Sequence, residues 1–168
     1  MLNLAIELAA NLHGESMDRV GNPYILHPIR VMLACATEQE RIAAVLHDTI
    51  EDTPLSLPEL RLKGFSDDVI EAVDALSKRE EENYEDYIDR LVECELACTI
   101  KLADLCDNIW LVRSLKAGKK NSRREEKYCR AAKQILRHIR LQNDDKIILH
   151  YAKGDYGDRV RKFIKELV

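Results

Sequence analysis

An apolar run at residues 43–46 is followed by four polar side chains that could bind a cation. These side chains are His47, Asp48, Glu51 and Asp52. On a continuous α-helix, at about 100° per residue, they fall within an arc of roughly 140° on one face. Three carboxylates buried side by side repel one another and lose hydration, unless a cation neutralises them or they lie in a wet cleft. The spacing therefore predicts a site for a divalent metal ion, for which an imidazole beside a carboxylate is a suitable pair of ligands.

Further metal ligands must come from other parts of the chain, and two residues are candidates. His27 directly precedes Pro28, a residue that is favoured in the first turn of a helix. Asp104 follows the largely apolar residues 100–103. Either residue alone is more often a capping or surface group than a ligand, because short motifs often match by chance. Packing of the helix after His27 against the helix before His47 would place the two imidazoles opposite each other.

The acidic pair Glu51 and Asp52 suggests hydrolytic chemistry at such a metal site. A divalent ion lowers the pKa of water and polarises a phosphoryl oxygen. Glu51, one turn beyond His47, would then take the proton of the attacking water, and Asp52 would orient that water. The alternative for this pair is a solvated helix end, but negative charge at a helix C-terminus opposes the helix dipole.

Apolar residues recur at three- and four-residue steps, which predicts amphipathic helices rather than strands. Start signals at Ser66, Asn83 and Ser122 agree with this assignment. The residues 143–157 stay open between strand and helix, and the charged run 119–124 is predicted to be an exposed loop. The predicted helices cover residues 2–12, 29–36, 39–50, 68–77, 84–94, 96–115, 123–141 and 158–168.

The chain is expected to form one all-α domain over residues 1–168, because its length suits one core and no linker or repeat interrupts it. The motif-bearing part is expected at 13–130, with a C-terminal helical cap at 140–168.

Composition narrows the classes of partner and the location. A net charge of −4 argues against general nucleic-acid binding, although a compact basic patch could still bind a small nucleotide. No apolar run approaches the length needed to cross a bilayer, so no membrane partner is expected. The five cysteines, an odd number, are expected to be reduced thiols rather than zinc ligands, and the cytoplasm is the expected location. An oligomer is left open.

Three short motifs occur in a characteristic order. Residues 21–28, GNPYILHP, match G-x-P-Y-I-x-H-P. Residues 45–53, VLHDTIEDT, resemble L-L-H-D-x-x-E-D-T, with Val45 in place of the first leucine. Residues 101–104 are K-L-A-D, with Asn108 at the expected asparagine. Over residues 19–108 the chain therefore resembles the hydrolase domain of the RelA/SpoT family, enzymes that degrade (p)ppGpp, and especially its small stand-alone relatives.

This resemblance implies a helical bundle of the HD type and one bound Mn²⁺ ion. In the family, the positions of Glu51 and Asp52 are catalytic and support the water that attacks the 3′-pyrophosphate. Arg19 matches a basic residue beside the nucleobase, Asn108 a residue near the ribose, and Tyr128 a tyrosine of the pocket. The implied metal ligands are His27, His47, Asp48 and Asp104.

Further residues are expected to contact the substrate. Lys78, Arg79 and Lys101, together with Arg19, would meet phosphate charge. Tyr84 and Tyr87 could stack on a base or donate to phosphate, although tyrosines at this helical spacing are more often half-buried core residues.

The chain departs from the family pattern at two places. Asp18-Arg19 stands where the family has two basic residues, and Leu105-Cys106-Asp107 stands where it has Arg-Leu-His. We interpret both departures as affecting the substrate rather than the chemistry.

Three functions stay open on this basis. The main hypothesis is a (p)ppGpp 3′-pyrophosphohydrolase. The second is an HD phosphohydrolase of another nucleotide or of NADPH, and the third is a catalytically idle, metal-bound nucleotide sensor. The pair Glu51 and Asp52 argues against the sensor, since a sensor needs no base beside its metal.

Overall fold

The computed structural model describes residues 1–115, 119–141 and 150–168. In these ranges the chain is helical, with isolated bridges at Met17–Pro23 and Cys35–Tyr151 and no strand, so the predicted all-α class is confirmed. No helix in the described part is both apolar enough and long enough to span a membrane. The helices are α1 (Leu2–His13), α2 (Leu26–Ala34), α3 (Glu38–Leu46), α4 (Thr49–Asp52), α5 (Leu57–Leu62), α6 (Asp67–Leu76), α7 (Tyr84–Leu91), α8 (Glu95–Ser114), α9 (Lys119–Leu141) and α10 (Asp155–Leu167).

Side chains at the helix starts satisfy backbone amides that lack a partner within the helix. Thr37 and Glu40 form a capping box at the start of α3, and Ser56 and Glu59 form one at the start of α5. Asn83 accepts hydrogen bonds from two backbone amides of α7. The predicted start of α7 is confirmed, whereas α5 was not predicted, because it is only six residues long.

The predicted helix over residues 39–50 is wrong in one respect that matters for the site. Helix α3 ends at Leu46 and α4 begins at Thr49, so His47 and Asp48 lie at the break between them. The Thr49 hydroxyl donates to the Leu46 carbonyl at 2.6 Å and thereby satisfies an acceptor at the end of α3. Both residues keep αR backbone dihedral angles, but Asp48 departs from the helical values with φ −98° and ψ −4°, so the two side chains are not placed by one continuous helix.

Helix α3 lies at the centre of the core. It packs against α1, α2, α6 and α8, and residues 42–46 are buried. A helix that is covered on most sides needs apolar or small residues around its circumference, as the sequence Ile-Ala-Ala-Val-Leu provides. This burial holds the end of α3 firmly against the start of α2 and the middle of α8.

The C-terminal part of the chain differs from the prediction at its helix starts. The run 119–124, expected to be a loop, begins α9, and α10 begins at Asp155 rather than at residue 158. Helix α10 packs against α2, α8 and α9. The Tyr151 hydroxyl donates to the Thr99 carbonyl at 2.9 Å and fixes the segment before α10 to α8. Of the segment left open between strand and helix, residues 143–149 lie outside the described residues, and residues 155–157 form the first turn of α10.

Candidate functional site

The structure brings the four predicted metal ligands together. His27 comes from the first turn of α2, His47 and Asp48 from the break after α3, and Asp104 from the middle of α8. Nitrogen or oxygen atoms of His27, His47 and Asp104 all lie within 4.8 Å of one another. Asp48 Oδ2 is 3.0 Å from His47 Nε2 and 3.7 Å from His27 Nε2. Asp104 Oδ1 is 3.1 Å from His27 Nε2 and 3.8 Å from His47 Nε2.

The Nδ1 atoms of His27 and His47, which face away from the centre of the cluster, have hydrogen-bond partners within the protein. His47 Nδ1 lies 2.7 Å from the Ala44 carbonyl oxygen, which can only accept, so Nδ1 must carry the proton. His27 Nδ1 lies 2.7 Å from Asp107 Oδ2. Such partners are typical of metal-binding histidines, because they fix the tautomer and aim the Nε2 lone pair inward.

His47 Nε2 is a buried polar atom that makes no hydrogen bond among the described residues. The His47 side chain is only 1% exposed, so bulk water cannot easily supply a hydrogen bond to Nε2. In the neutral imidazole this nitrogen has a lone pair that faces the Asp48 carboxylate, and a proton or a metal ion between them relieves the repulsion. The donor set of two imidazoles and two carboxylates therefore fits a divalent metal ion.

The electrostatics of the cluster also favour positive charge at its centre. Burial lowers the pKa of His47, but the nearby carboxylates of Asp48 and Asp104 outweigh this effect and raise the pKa to about 10. Burial likewise lowers the pKa of His27, and hydrogen bonds to Asp104 and Asp107 raise it to about 9. Burial raises the pKa of Asp104, yet the Lys101 ammonium and both imidazoles hold it well below its usual value.

Asp107 and Arg30 form a second layer behind His27 that the sequence analysis missed. Arg30 Nε donates to Asp107 Oδ1 at 2.7 Å, and Arg30 Nη2 donates to Asp107 Oδ2 at 2.9 Å. The interpretation of Asp107 as a substrate-related departure is therefore wrong, because its carboxylate contacts a predicted metal ligand. The signal that could have found it is the three-residue step from Asp104, which places both acids on one face of α8.

Tyr24 and His13 border the cluster on the other side and were also missed. The Tyr24 hydroxyl donates to Asp48 Oδ2 at 2.5 Å, and burial together with Asp48 raises the pKa of Tyr24. The His13 ring centroid lies 4.9 Å from that of Tyr24, and burial lowers the pKa of His13. Tyr24 belongs to the GNPYILHP motif, which was the available signal.

A cleft of about 410 Å³ opens above the cluster and is lined by most of the predicted site residues. Arg79 does not line it: this side chain is exposed, and its Nη2 lies 3.8 Å from Asp74 Oδ2. Of the predicted residues, those that line the cleft are Arg19, His27, Asp48, Glu51, Asp52, Lys78, Tyr84, Tyr87, Lys101, Asp104, Asn108 and Tyr128.

Three of these residues are already engaged with the protein. The Tyr87 hydroxyl donates to the Leu76 carbonyl at 2.5 Å, and the side chain is buried. The Asn108 amide donates to the Asp104 carboxylate, and Lys101 Nζ lies 2.8 Å from Asp104 Oδ2. Asn108 and Lys101 therefore hold a predicted metal ligand in place, whatever they do for the substrate.

The predicted catalytic pair lies at the edge of the cleft. Glu51 Oε2 accepts a hydrogen bond of 2.9 Å from the Lys78 backbone amide, which fixes this carboxylate beside the loop before α7. Burial and the neighbouring Asp48 charge raise the pKa of Asp52. Two carboxylates in different environments can take different proton-transfer roles.

Three lysines line one side of the cleft, close to Glu51. Lys127, which the sequence analysis did not select, joins the predicted Lys78 and Lys101. Its Nζ lies 3.6 Å from the centroid of the Tyr84 ring, a cation–π contact. Burial and the charges of Lys101 and Lys78 lower the pKa of Lys127. This side of the cleft thus suits an anionic group.

Asp18 supports a turn rather than a base-binding clamp. Its Oδ1 accepts hydrogen bonds from the backbone amides of Val20 and Asn22, each at 2.9 Å. These bonds shape the loop that carries Arg19 to the rim of the cleft. The change of sign at residue 18 therefore has a local structural reason.

Comparisons with known proteins give relatives and a fold neighbour. No protein-family model matches the chain. The chain is 31% identical over 178 aligned positions to the guanosine-3′,5′-bis(diphosphate) 3′-pyrophosphohydrolase of Aquifex aeolicus, which covers 96% of this chain and 25% of that protein. It is 26% identical over 201 positions to the bifunctional (p)ppGpp synthase/hydrolase SpoT of Escherichia coli, which covers 99% of this chain and 28% of that protein.

A solved structure described as a metazoan ortholog of SpoT that hydrolyzes ppGpp has the same fold. It superposes with a TM-score of 0.72 at 22% identity and covers 99% of this chain and 92% of that one. The chain spans about a quarter of the length of the bacterial relatives named above. The resemblance found in the three motifs is thereby confirmed: over nearly its whole length the chain is similar to part of these RelA/SpoT-type proteins, and it has the fold of a SpoT ortholog.

Proposed function

We propose that the chain is a metal-dependent phosphohydrolase that removes the 3′-pyrophosphate of (p)ppGpp, with Mn²⁺ as its ion. The observation that carries the proposal is the buried, unpartnered His47 Nε2 within a cluster of inward-facing imidazoles and carboxylates at the floor of a cleft. The names of the bacterial relatives support the substrate. The ion would be held by His27, His47, Asp48 and Asp104.

The chain's own residues would divide the remaining work. A divalent ion supplies Lewis acidity, which lowers the pKa of water and polarises phosphoryl oxygens. Glu51 would accept the proton of the attacking water, and Asp52 would orient that water. Lys78, Lys101 and Lys127 would neutralise phosphate charge within the cleft. Arg19 would contact the base from the rim, and Tyr84 and Tyr128 would pack against the nucleoside.

A catalytically idle sensor is the less favoured function, because two acids line the cleft beside the cluster. A sensor gains nothing from Glu51 and Asp52, whose charges repel an anionic ligand. We also infer a cytoplasmic location from the odd number of cysteines, which suits a reducing compartment.

The test is a product-release assay with added Mn²⁺ on ppGpp, NADPH and common nucleotides, in which pyrophosphate and orthophosphate are measured separately. The proposal expects pyrophosphate from ppGpp. Release of orthophosphate from NADPH, without release of pyrophosphate from ppGpp, would instead support an HD phosphohydrolase of NADPH. His47→Ala is expected to lose bound metal and activity together, and a variant that keeps stoichiometric Mn²⁺ would contradict the metal assignment.

A further inference from the structure

A second groove lies beside the cleft, between α7 and α9. Its volume is about 520 Å³, and it shares the side chains of Tyr84 and Lys127 with the cleft. The two spaces therefore meet at these residues. A ligand that enters the cleft past Lys127 has the groove directly next to it.

The groove is strongly cationic. Four of its eight lining residues are basic and one, Glu85, is acidic. The basic residues follow one another along α9 at steps of three or four positions, which places them on neighbouring turns of one side of the helix. They are Lys127, Arg130, Lys133 and Arg137.

Most of this positive charge has no ion-pair partner within the described residues. Among the residues that the structure describes, Arg130, Lys133 and Arg137 make no ion pair. Several arginines elsewhere are paired with an acid, as Arg90 is with Glu82 at 2.8 Å. A row of unpaired cations is unexpected in a chain with a net charge of −4, since acidic residues outnumber basic ones.

We propose that the α7–α9 groove is a phosphate-binding site for a small phosphorylated molecule. Its contact with the cleft favours the substrate as that molecule: the groove would hold the 5′-phosphates of a nucleotide whose 3′ end lies at the His/Asp cluster. This assignment of the ligand rests on the proposed function. The proposal that the groove binds phosphate does not rest on the proposed function, because it follows from the charge and shape of the groove alone.

The first experiment compares two substrates of the metal-loaded enzyme, ppGpp and guanosine 3′-diphosphate with a free 5′-hydroxyl. The test variant is Arg130→Gln with Arg137→Gln. The control, Arg123→Gln with Lys165→Gln, removes the same charge from exposed positions that line neither the cleft nor the groove. The groove variant is expected to raise KM for ppGpp about tenfold with little change in kcat, and to leave KM for the other substrate unchanged. An equal rise for both substrates would overturn the assignment to the 5′-phosphates.

The second experiment detects the site without turnover. The ¹H–¹⁵N spectrum of the Mg²⁺-loaded protein is titrated with inorganic phosphate, with chloride at equal ionic strength as the reference. Saturable shifts are expected at the amides of residues 127–137, and the groove variant is expected to lose them while the control keeps them.

The outcomes separate the two proposals. Shifts that do not saturate, or that persist in the groove variant, would overturn the groove as a phosphate site. Loss of the shifts without a change in KM would support the site and assign it to a separate phosphorylated molecule. If the wild-type enzyme hydrolyses neither substrate, the proposed function fails, and the titration still tests the groove.

Discussion

The contact between Asp107 and His27 provides a direct test of how the cluster is held. The Asp107 carboxylate accepts from Arg30 twice and lies 2.7 Å from His27 Nδ1, so both of its oxygens are used. Asp107→Asn keeps the shape but leaves one acceptor oxygen. Whichever way the amide is turned, its NH₂ group faces a donor of Arg30 or of His27.

The expected consequence is weaker metal binding. Loss of a carboxylate partner of a metal-binding histidine typically lowers metal affinity by about 10- to 100-fold, which corresponds to roughly 1.4–2.7 kcal/mol. The variant should also lower the free energy of unfolding of the metal-free protein by about 1.5–3 kcal/mol, because Arg30 loses a charged partner in a mostly buried place.

The assay is the dissociation constant for Mn²⁺, measured from the electron paramagnetic resonance signal of the free ion. Asp67→Asn is a matched control, because Asp67 also accepts from the Nε and Nη2 of an arginine, Arg61, but its side chain is 83% exposed. The control is expected to leave Mn²⁺ affinity unchanged. If Asp107→Asn binds Mn²⁺ within about twofold of the wild type, the reasoning about the second layer is refuted.

Three further predictions concern the cleft and the core. Glu51→Gln is expected to keep the metal and to lower kcat about 10²-fold or more. The control Glu7→Gln, at an exposed position, is expected to leave kcat unchanged. Full activity of Glu51→Gln would exclude Glu51 as the base. Tyr87→Phe is expected to lower the free energy of unfolding, measured by denaturant titration, by about 1–3 kcal/mol, because the Leu76 carbonyl loses its hydroxyl donor. KM is expected to stay unchanged. A raised KM at normal stability would show a substrate contact instead. Gly157→Ala is expected to lower thermal stability by about 1–3 kcal/mol, because the added Cβ would lie 1.9 Å from the Ala152 carbonyl oxygen, and an unchanged melting temperature would show that this contact relaxes freely.

The sequence alone predicted the all-α class and the order of the site residues. Helical periodicity is a local property, so the core helices α3, α6 and α8 were found within a few residues of their observed ends. The motifs around His27, His47 and Asp104 identified groups that lie together in the structure. The types and order of these residues were sufficient to predict the cluster, because buried acids and imidazoles have few stable arrangements without a cation.

The tertiary structure decided which side chains support that cluster. Asp107 and His27 are 80 residues apart in sequence, and their contact depends on how α8 packs against α2. The break between Leu46 and Thr49 and the position of Lys127 over Tyr84 likewise depend on neighbouring elements. Periodicity describes which face of a helix is apolar, but the angle and register at which two helices meet are set by packing of side chains from both. For that reason the residues of the His/Asp cluster could be predicted from the sequence, whereas the contacts behind His27 and the basic groove along α9 required the packed structure.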